Sequence, residues 1–206
     1  LAGELARAGF IITSGLAAGV DAAAHEGALA AGGRTVAVLG TGPDQCYPAR
    51  NEALARRICR AGAVISEFPP GTGPRAWHFP RRNRLIAALT RGTTVVEAAA
   101  RSGSLITARQ ALELGRSVFA VPCSPLNPLA AGCLALLREG AVPTRHAGDI
   151  LEELGLPPQK ELFDQWLESR RPGGFRGQRL DKDYEMLLDA LGFEPASIDD
   201  LVDRTG

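Results

Sequence analysis

Short β-branched runs alternate with longer segments of helical period along most of this chain, and this alternation limits the folds that it can adopt. The short runs lack alternating polar residues, which is typical of strands buried on both faces of a sheet. Helical segments between such strands are the crossovers that join parallel neighbours. The pattern therefore predicts an α/β fold with a Rossmann-like, doubly wound, mostly parallel sheet. The predicted strands are residues 10–15, 35–40, 63–68, 93–98, 117–122 and 141–145, and the predicted helices are residues 1–9, 20–31, 51–61, 82–90, 105–114, 134–139 and 150–154.

The charged residues are unevenly distributed, although the 206 residues carry a formal net charge of zero. Residues 50–116 hold twelve arginines against four glutamates, whereas residues 147–206 hold seven basic and fourteen acidic side chains. A basic middle region followed by an acidic tail indicates a surface that binds a polyanion. Solvated helix faces are the alternative explanation of the same charges.

A change of composition after residue 155 marks the predicted end of the main domain. Residues 1–155 are predicted to form the Rossmann-like domain, followed by a linker at residues 156–179 that is rich in proline, glycine and charge. Residues 180–206 contain two helical segments and a turn, with Ser197 and Asp200 spaced as a capping box before the second helix. This pair is similar to the start of a helix-turn-helix or winged-helix module.

The loops that follow the strands are the expected binding places, because ligands of open parallel sheets lie beyond the carboxyl ends of the strands. In the first such loop, Ser14, Gly15 and Gly19 precede a helix whose free amides suit an anion such as phosphate. Asp21 gives a structural alternative, since its carboxylate complements the dipole of the same helix.

A second candidate loop follows the predicted strand 93–98 and combines a glycine, hydroxyl side chains and a helix start. This composition favours a nest of backbone amides of phosphate size, with an arginine on either side. A serine N-cap and a hydroxyl facing its own helix are the alternative explanation. The predicted phosphate-binding residues are Arg101, Ser102, Gly103, Ser104, Thr107 and Arg109.

The third candidate is residues 77–84, where Trp77 and Phe79 precede three arginines. Aromatic rings beside cationic side chains are what sequence-tolerant binding of single-stranded nucleic acid requires, because bases stack and phosphates pair with arginine. The alternative is that Phe79 belongs to the core and the arginines form a solvated helix face. The predicted binding residues are Phe79, Arg81, Arg82, Asn83 and Arg84.

These segments also resemble a known family. SGLAAGVDAAAH, GRTVAVLGTGPDQCYP, ISEFPPGTGPRAWHFPRRNRLIAALT and VVEAAARSGSLITARQALELGRSVFAVP look like successive signatures of the DprA/Smf DNA-processing proteins, and the match covers about residues 10–154. The resemblance implies an extended Rossmann domain that binds single-stranded DNA without base specificity and forms a homodimer. It also implies that the protein helps to load the RecA recombinase onto DNA during natural transformation or recombination.

Two departures from the family pattern concern the start of the domain and one loop. Family members normally open with a strand and a glycine-arginine loop before the helix at residues 1–9, and these are absent here. We therefore expect a fragment of a longer protein, in which a strand is missing from the middle of the sheet and apolar edges are exposed. Ala18 stands where many relatives have a basic residue in SGLARGID, which predicts the loss of one phosphate contact.

A nucleotide-processing enzyme of the cytokinin-activating phosphoribohydrolase type is the alternative within the same superfamily. Its loop resembles PGGxGTxxE, and here Thr107 occupies the place of the catalytic glutamate. A hydroxyl does not supply the acid/base role of a carboxylate at neutral pH. Glu67 and Glu97 end predicted strands and form either a carboxylate pair or ion pairs with nearby arginines. We predict a protein that is not an enzyme, with no catalytic residue.

No cofactor, metal or membrane association is expected. The four cysteines show no CxxC spacing, and the chain has neither a Walker sequence nor a GxGxxG that opens a helix. No apolar stretch approaches the roughly 18 residues of a membrane span. The predicted location is the cytoplasm, and the predicted partners are single-stranded DNA, the RecA recombinase and a second copy of the chain.

Overall fold

The computed structural model describes residues 1–156, and the predicted linker and helix pair beyond them lie outside this range. Within residues 1–156 every predicted strand and helix is present, in the predicted order. The strands are β1 Ile12–Ser14, β2 Thr35–Leu39, β3 Ala63–Ser66, β4 Gly92–Val95, β5 Ser117–Ala120 and β6 Val142–Pro143. The helices are α1 Ala2–Arg7, α2 Val20–Ala30, α3 Glu52–Ala61, α4 His78–Leu89, α5 Ser104–Glu113, α6 Ala131–Arg138 and α7 Ala147–Glu153.

Helix α4 begins four residues earlier than the sequence predicts, at His78 rather than Arg82. The prediction was wrong because Pro80 was treated as part of a loop. Proline is tolerated in the first turn of a helix, where the backbone N–H has no partner within the helix. Residues 78–84 therefore lie on the first turns of α4, and the spacing of a helix decides which of their side chains face solvent.

All strand pairs in residues 1–156 are parallel, which confirms the α/β class and the crossover connections. They form two ladders of three strands, in the orders β1-β2-β3 and β4-β5-β6. In the first ladder Ile12 lies opposite Thr35, and in the second Gly92 lies opposite Ser117. No strand pairing joins β1 to β4 within the described residues. The two ladders thus differ from the single continuous sheet of an ideal doubly wound fold.

The two ladders are connected through their apolar cores. A cluster around the fully buried Phe119 of β5 includes Leu5 of α1 and Ile150 of α7, and Ile12 of β1 packs against it. The other two clusters each fill the space between one ladder and its helices. They contain Ala87, Val95, Ala98, Leu105, Ala108, Ala111, Val118, Ala120, Cys133 and Leu136 in one case, and Leu16, Ala37, Leu39, Leu54 and Ile58 in the other.

A buried polar chain fixes α2 and β1 to β2. The Thr35 hydroxyl donates to the Ile12 carbonyl at 2.6 Å, and His25 Nδ1 lies 2.6 Å from the same hydroxyl oxygen. Because the hydroxyl hydrogen is used on Ile12, the imidazole donates from Nδ1. Burial lowers the pKa of His25 to about 4, so that this histidine is neutral at pH 7.

None of the helices in residues 1–156 is long and apolar enough to cross a membrane.

Candidate nucleic-acid interface

The loops at the carboxyl edge of the first ladder are tied to one another by hydrogen bonds. Ser66 at the end of β3 donates its hydroxyl to the Thr41 carbonyl at 2.5 Å. The Gly71 amide donates to the Asp44 carboxylate at 2.8 Å, and this bond lowers the pKa of that carboxyl. The Gly42 amide donates to the Thr72 carbonyl at 2.8 Å. Residues 40–48 and 67–77 therefore form one connected surface.

Two groups of aromatic rings lie on either side of Gly40, at the end of β2. Phe79 lies against Gly40 so closely that a Cβ at this position would come within 2.7 Å of its ring. The Tyr47 ring is 5.6 Å from that of Phe79, measured between ring centroids. On the other side, His78 Nδ1 lies 2.9 Å from the Gly40 carbonyl oxygen. Only glycine at position 40 allows this approach of Phe79.

The second aromatic group is built around the buried rings of His78 and Phe68. These two rings stack with centroids 4.0 Å apart, and Trp77 meets His78 edge to face at 4.1 Å. Trp77 and Tyr47 are each about half exposed. The sequence prediction included neither of them among the binding residues. Tyr47 could not be found by local pattern, since 32 residues separate it from Phe79 and only the fold brings them together.

Arg82 lies in the interior, with 4% of its surface exposed. Its guanidinium donates to the carbonyl of Gly15 at 2.8 Å and to that of Val38, and its Nε donates to the Asn83 side chain at 3.1 Å. The pKa of Arg82 is lowered by burial, and the Asp21 carboxylate offsets a smaller part of this shift. Arg82 thus joins the end of β1 to β2. The phosphate contact predicted for Arg82 does not fit this burial, and Asn83 serves to orient Arg82.

Arg81 and Arg84 are the exposed arginines of this segment, and both pair with Glu67. Arg84 Nη2 lies 2.5 Å from one carboxylate oxygen and Arg81 Nε 3.6 Å from the other. Glu67 itself is only 15% exposed in its side chain, whereas both arginines are more than half exposed. The ion-pair alternative for Glu67 is therefore the one observed. Each guanidinium still has further N–H groups available to a phosphate, because arginine carries five donors.

In the first candidate loop, a carboxylate of the chain itself occupies two of the backbone amides. The Asp21 carboxylate accepts hydrogen bonds from the backbone N–H of Gly15 at 3.0 Å and of Ala17 at 3.2 Å. The structural alternative for Asp21 therefore accounts for these two amides, and a phosphate contact through the Gly15 amide does not fit the geometry. The contacts expected of Ser14 and Gly19 stay predictions. Ser14 is partly buried, and Gly19 is exposed at the start of α2 with a φ of 87°.

The second candidate loop presents a largely exposed polar turn at the start of α5. The Ser104 amide lies 3.3 Å from the Ser102 hydroxyl oxygen, and α5 has Gly103 rather than a serine at its N-cap. Arg101 and Arg109 are exposed. Thr107 is 8% exposed and faces the interior, so the predicted phosphate contact does not suit it.

The polar turn and the exposed arginines of α4 belong to two neighbouring helices. Helices α4 and α5 pack against each other, and each begins beyond the carboxyl end of the strand before it. The segment before the turn is held in place, since the Ala98 amide donates to Leu129 and the Asn127 side chain to Glu97. The packing of these two helices supports the expectation that their exposed cationic and polar groups face one groove, which stays a prediction.

Comparison with protein families gives two matches that together cover most of the chain. A model described as DNA recombination-mediator protein A matches residues 1–155, and a DprA winged helix domain model matches residues 176–206. The second match agrees with the winged-helix-like segment predicted from the sequence.

Curated relatives show the same similarity. The chain is 40% identical to Protein Smf of Synechocystis in an alignment of 224 positions, which covers 96% of this chain and 56% of the relative. It is 51% identical to DNA processing protein DprA of Streptococcus pneumoniae over 143 residues, which cover 69% of this chain and 51% of the relative. The chain therefore spans about half the length of the curated relatives it matches.

Two solved structures are similar to the described fold. The X-ray structure of DprA from Streptococcus pneumoniae aligns with a TM-score of 0.69 at 47% identity, over 74% of this chain and 54% of that one. DprA from Helicobacter pylori aligns with a TM-score of 0.68 at 32% identity, over 75% of this chain and 70% of that one. That protein is described as having a unique single-stranded DNA binding mode.

Proposed function

We propose that this chain, which belongs to the DNA recombination-mediator protein A (DprA/Smf) family, binds single-stranded DNA at the carboxyl edge described above. The observation that carries the proposal is the position of exposed aromatic rings beside exposed arginines on one surface. Tyr47 and Trp77 lie in loops fixed by hydrogen bonds, and Arg81 and Arg84 follow on α4.

This combination favours single strands over duplex DNA for a physical reason. A base stacks on an aromatic ring only when its face is free, and in a duplex both faces of each base are covered by neighbours. Stacking is tolerant of sequence because every base has a π-face. We therefore expect binding without base specificity, in which arginines contact the backbone and rings contact the bases.

The wider role that we propose rests on the family. It comprises a homodimer that loads a RecA-type recombinase onto bound DNA in the cytoplasm during DNA uptake or recombination. The similarity to DNA-processing proteins over about half of their length supports this role. A sedimentation measurement of the full-length protein, followed by recombinase filament assays with and without it, tests these two points separately.

Binding to labelled single-stranded, duplex and mononucleotide ligands at several salt concentrations tests the proposed function. We expect preference for the single strand and a steep loss of affinity with salt. Each phosphate contact on a single strand contributes a log–log slope of about −0.7, so four exposed arginines predict a slope of about −3. The exposed arginines in question are Arg81, Arg84, Arg101 and Arg109. Equal affinity for duplex and single strand, or affinity that is independent of salt, would contradict the proposal.

The mononucleotide arm of the same experiment addresses the enzyme alternative. The comparisons do not favour a phosphoribohydrolase, and its catalytic glutamate is replaced by the buried Thr107. The nearby carboxylates are engaged, Glu67 with two arginines and Glu97 with Asn127. We expect no release of free base from AMP above the uncatalysed background, as followed by chromatography.

A further inference from the structure

We propose that Trp77 is a second base-stacking surface, separate from Phe79, and that a single DNA strand runs from it along the outer face of α4 past Arg81 and Arg84. This inference rests on the proposed function. It assigns a stacking role of its own to Trp77, which the sequence placed in the third candidate segment but not among the predicted binding residues.

Helical spacing places the three side chains in one row. Trp77 is the N-cap of α4 with helical backbone angles, φ −75° and ψ −15°. Positions 77, 81 and 84 are related as i, i+4 and i+7, which puts them on one face of a helix. Phe79 and Arg82 belong to other faces, since Phe79 lies against Gly40 and Arg82 is buried. The outer row therefore forms a surface distinct from the site around Phe79.

The Trp77 ring contacts two neighbouring rings and is still largely exposed. It contacts His78 at 79° and 4.1 Å, and Phe68 at 81° and 6.5 Å, so both contacts are edge to face. The side chain is nevertheless 54% exposed. A ring that is held firmly by its neighbours and remains exposed offers a stacking surface without having to be ordered on binding.

The arginines next to Trp77 are positioned to bind the backbone of the same strand. Glu67 pairs with both of them, and Arg81 also lies over the Phe68 ring at 5.7 Å. Arg81 and Arg84 carry two positive charges and Glu67 carries one negative charge, so this surface keeps a net positive charge. This charge complements a polyanion. A nucleobase with its flanking phosphates is therefore the occupant that fits the row.

Trp77→Ala, Trp77→Phe and Phe79→Ala variants of the full chain test the inference by anisotropy with a labelled oligothymidylate. We expect Trp77→Ala to bind about 5- to 150-fold more weakly, the loss that removal of one stacked base produces. Trp77→Phe should retain most of the affinity, because phenylalanine also stacks. The salt slope should not change in either variant, since no charge is removed. Leu89→Ala is the matched control, because Leu89 is an apolar residue of the same helix, 57% exposed and at its opposite end.

Tryptophan fluorescence gives a second readout that does not depend on the alanine variant. The chain has two tryptophans, Trp77 and Trp166, so the Trp77→Phe protein isolates the signal of Trp77 by difference. Quenching of that signal by single-stranded DNA supports the subsite.

The possible outcomes separate the inference from the proposed function. If wild-type protein does not bind single-stranded DNA, the proposed function fails. If wild type binds and Phe79→Ala is weakened, but Trp77→Ala behaves like Leu89→Ala and its emission is not quenched, only the second subsite is refuted. An equal loss in Trp77→Phe and Trp77→Ala would contradict stacking as the cause.

Discussion

Replacing Arg82 by alanine is expected to lower the free energy of unfolding by about 3–6 kcal/mol, because a hydrogen bond from a charged group contributes about 1.5–3 kcal/mol and two buried carbonyls lose theirs. These carbonyls belong to Gly15 and Val38, at or near the ends of two neighbouring strands. Urea unfolding of the variant and of wild type measures the difference.

Arg84→Ala is the matched control for this prediction. Arg84 is about half exposed and pairs with Glu67, and an exposed ion pair contributes only about 0–1 kcal/mol. The two variants remove the same charge from the same helix, two residues apart. Equal unfolding midpoints for Arg82→Ala and Arg84→Ala would show that Arg82 has no structural role.

The second large effect concerns the arginines that face outward. An Arg81→Ala, Arg84→Ala double variant should reduce the salt slope of single-strand binding by about 1.4, since each lost phosphate contact removes about 0.7. Binding should weaken for all sequences alike, because contacts to phosphate carry no sequence information. Anisotropy titrations at four or more salt concentrations determine the slope.

The control is an Arg56→Ala, Arg57→Ala double variant on α3. These arginines are also exposed and also pair with glutamates, Arg56 with Glu52 and Arg57 with Glu26. The change of net charge is therefore identical, but the site lies on another helix. If both double variants flatten the slope equally, the effect is one of overall charge and the proposed interface is wrong.

The order of elements could be predicted from the sequence because it depends on local pattern. Six apolar runs and the helical segments between them define the crossovers of a parallel fold, and all of them are found in residues 1–156. The division into two ladders could not be predicted, because it depends on which edges pair in space.

The roles of neighbouring side chains were harder to predict, as the segment RRNR shows. Its arginines are equivalent in the sequence, yet Arg82 is buried and Arg81 and Arg84 are exposed. The start of α4 decides this difference, since a helix beginning at His78 places His78 and Arg82 on one inner face. The sequence prediction began this helix at Arg82, so His78 lay outside it and the shared face of the two residues was missed.

The first loop illustrates a different limit. Its glycines suit either a phosphate or a carboxylate from the chain itself, and the sequence left both explanations open. The structure places the Asp21 carboxylate on the amides of Gly15 and Ala17. Local composition shows that amides are available to an anion, but only the fold shows which anion reaches them.

Photo-crosslinking of the full chain to an iodouracil-containing oligothymidylate tests most directly whether the carboxyl edge holds single-stranded DNA. Trypsin cleaves after arginine, so Trp77 and Phe79 lie in the peptide of residues 76–81 and Tyr47 in that of residues 35–50. We predict that mass spectrometry will find the crosslinked nucleotide in these two peptides, and that an excess of unlabelled single strand will suppress both adducts. Adducts confined to other peptides, with residues 35–50 and 76–81 unmodified, would contradict the interface.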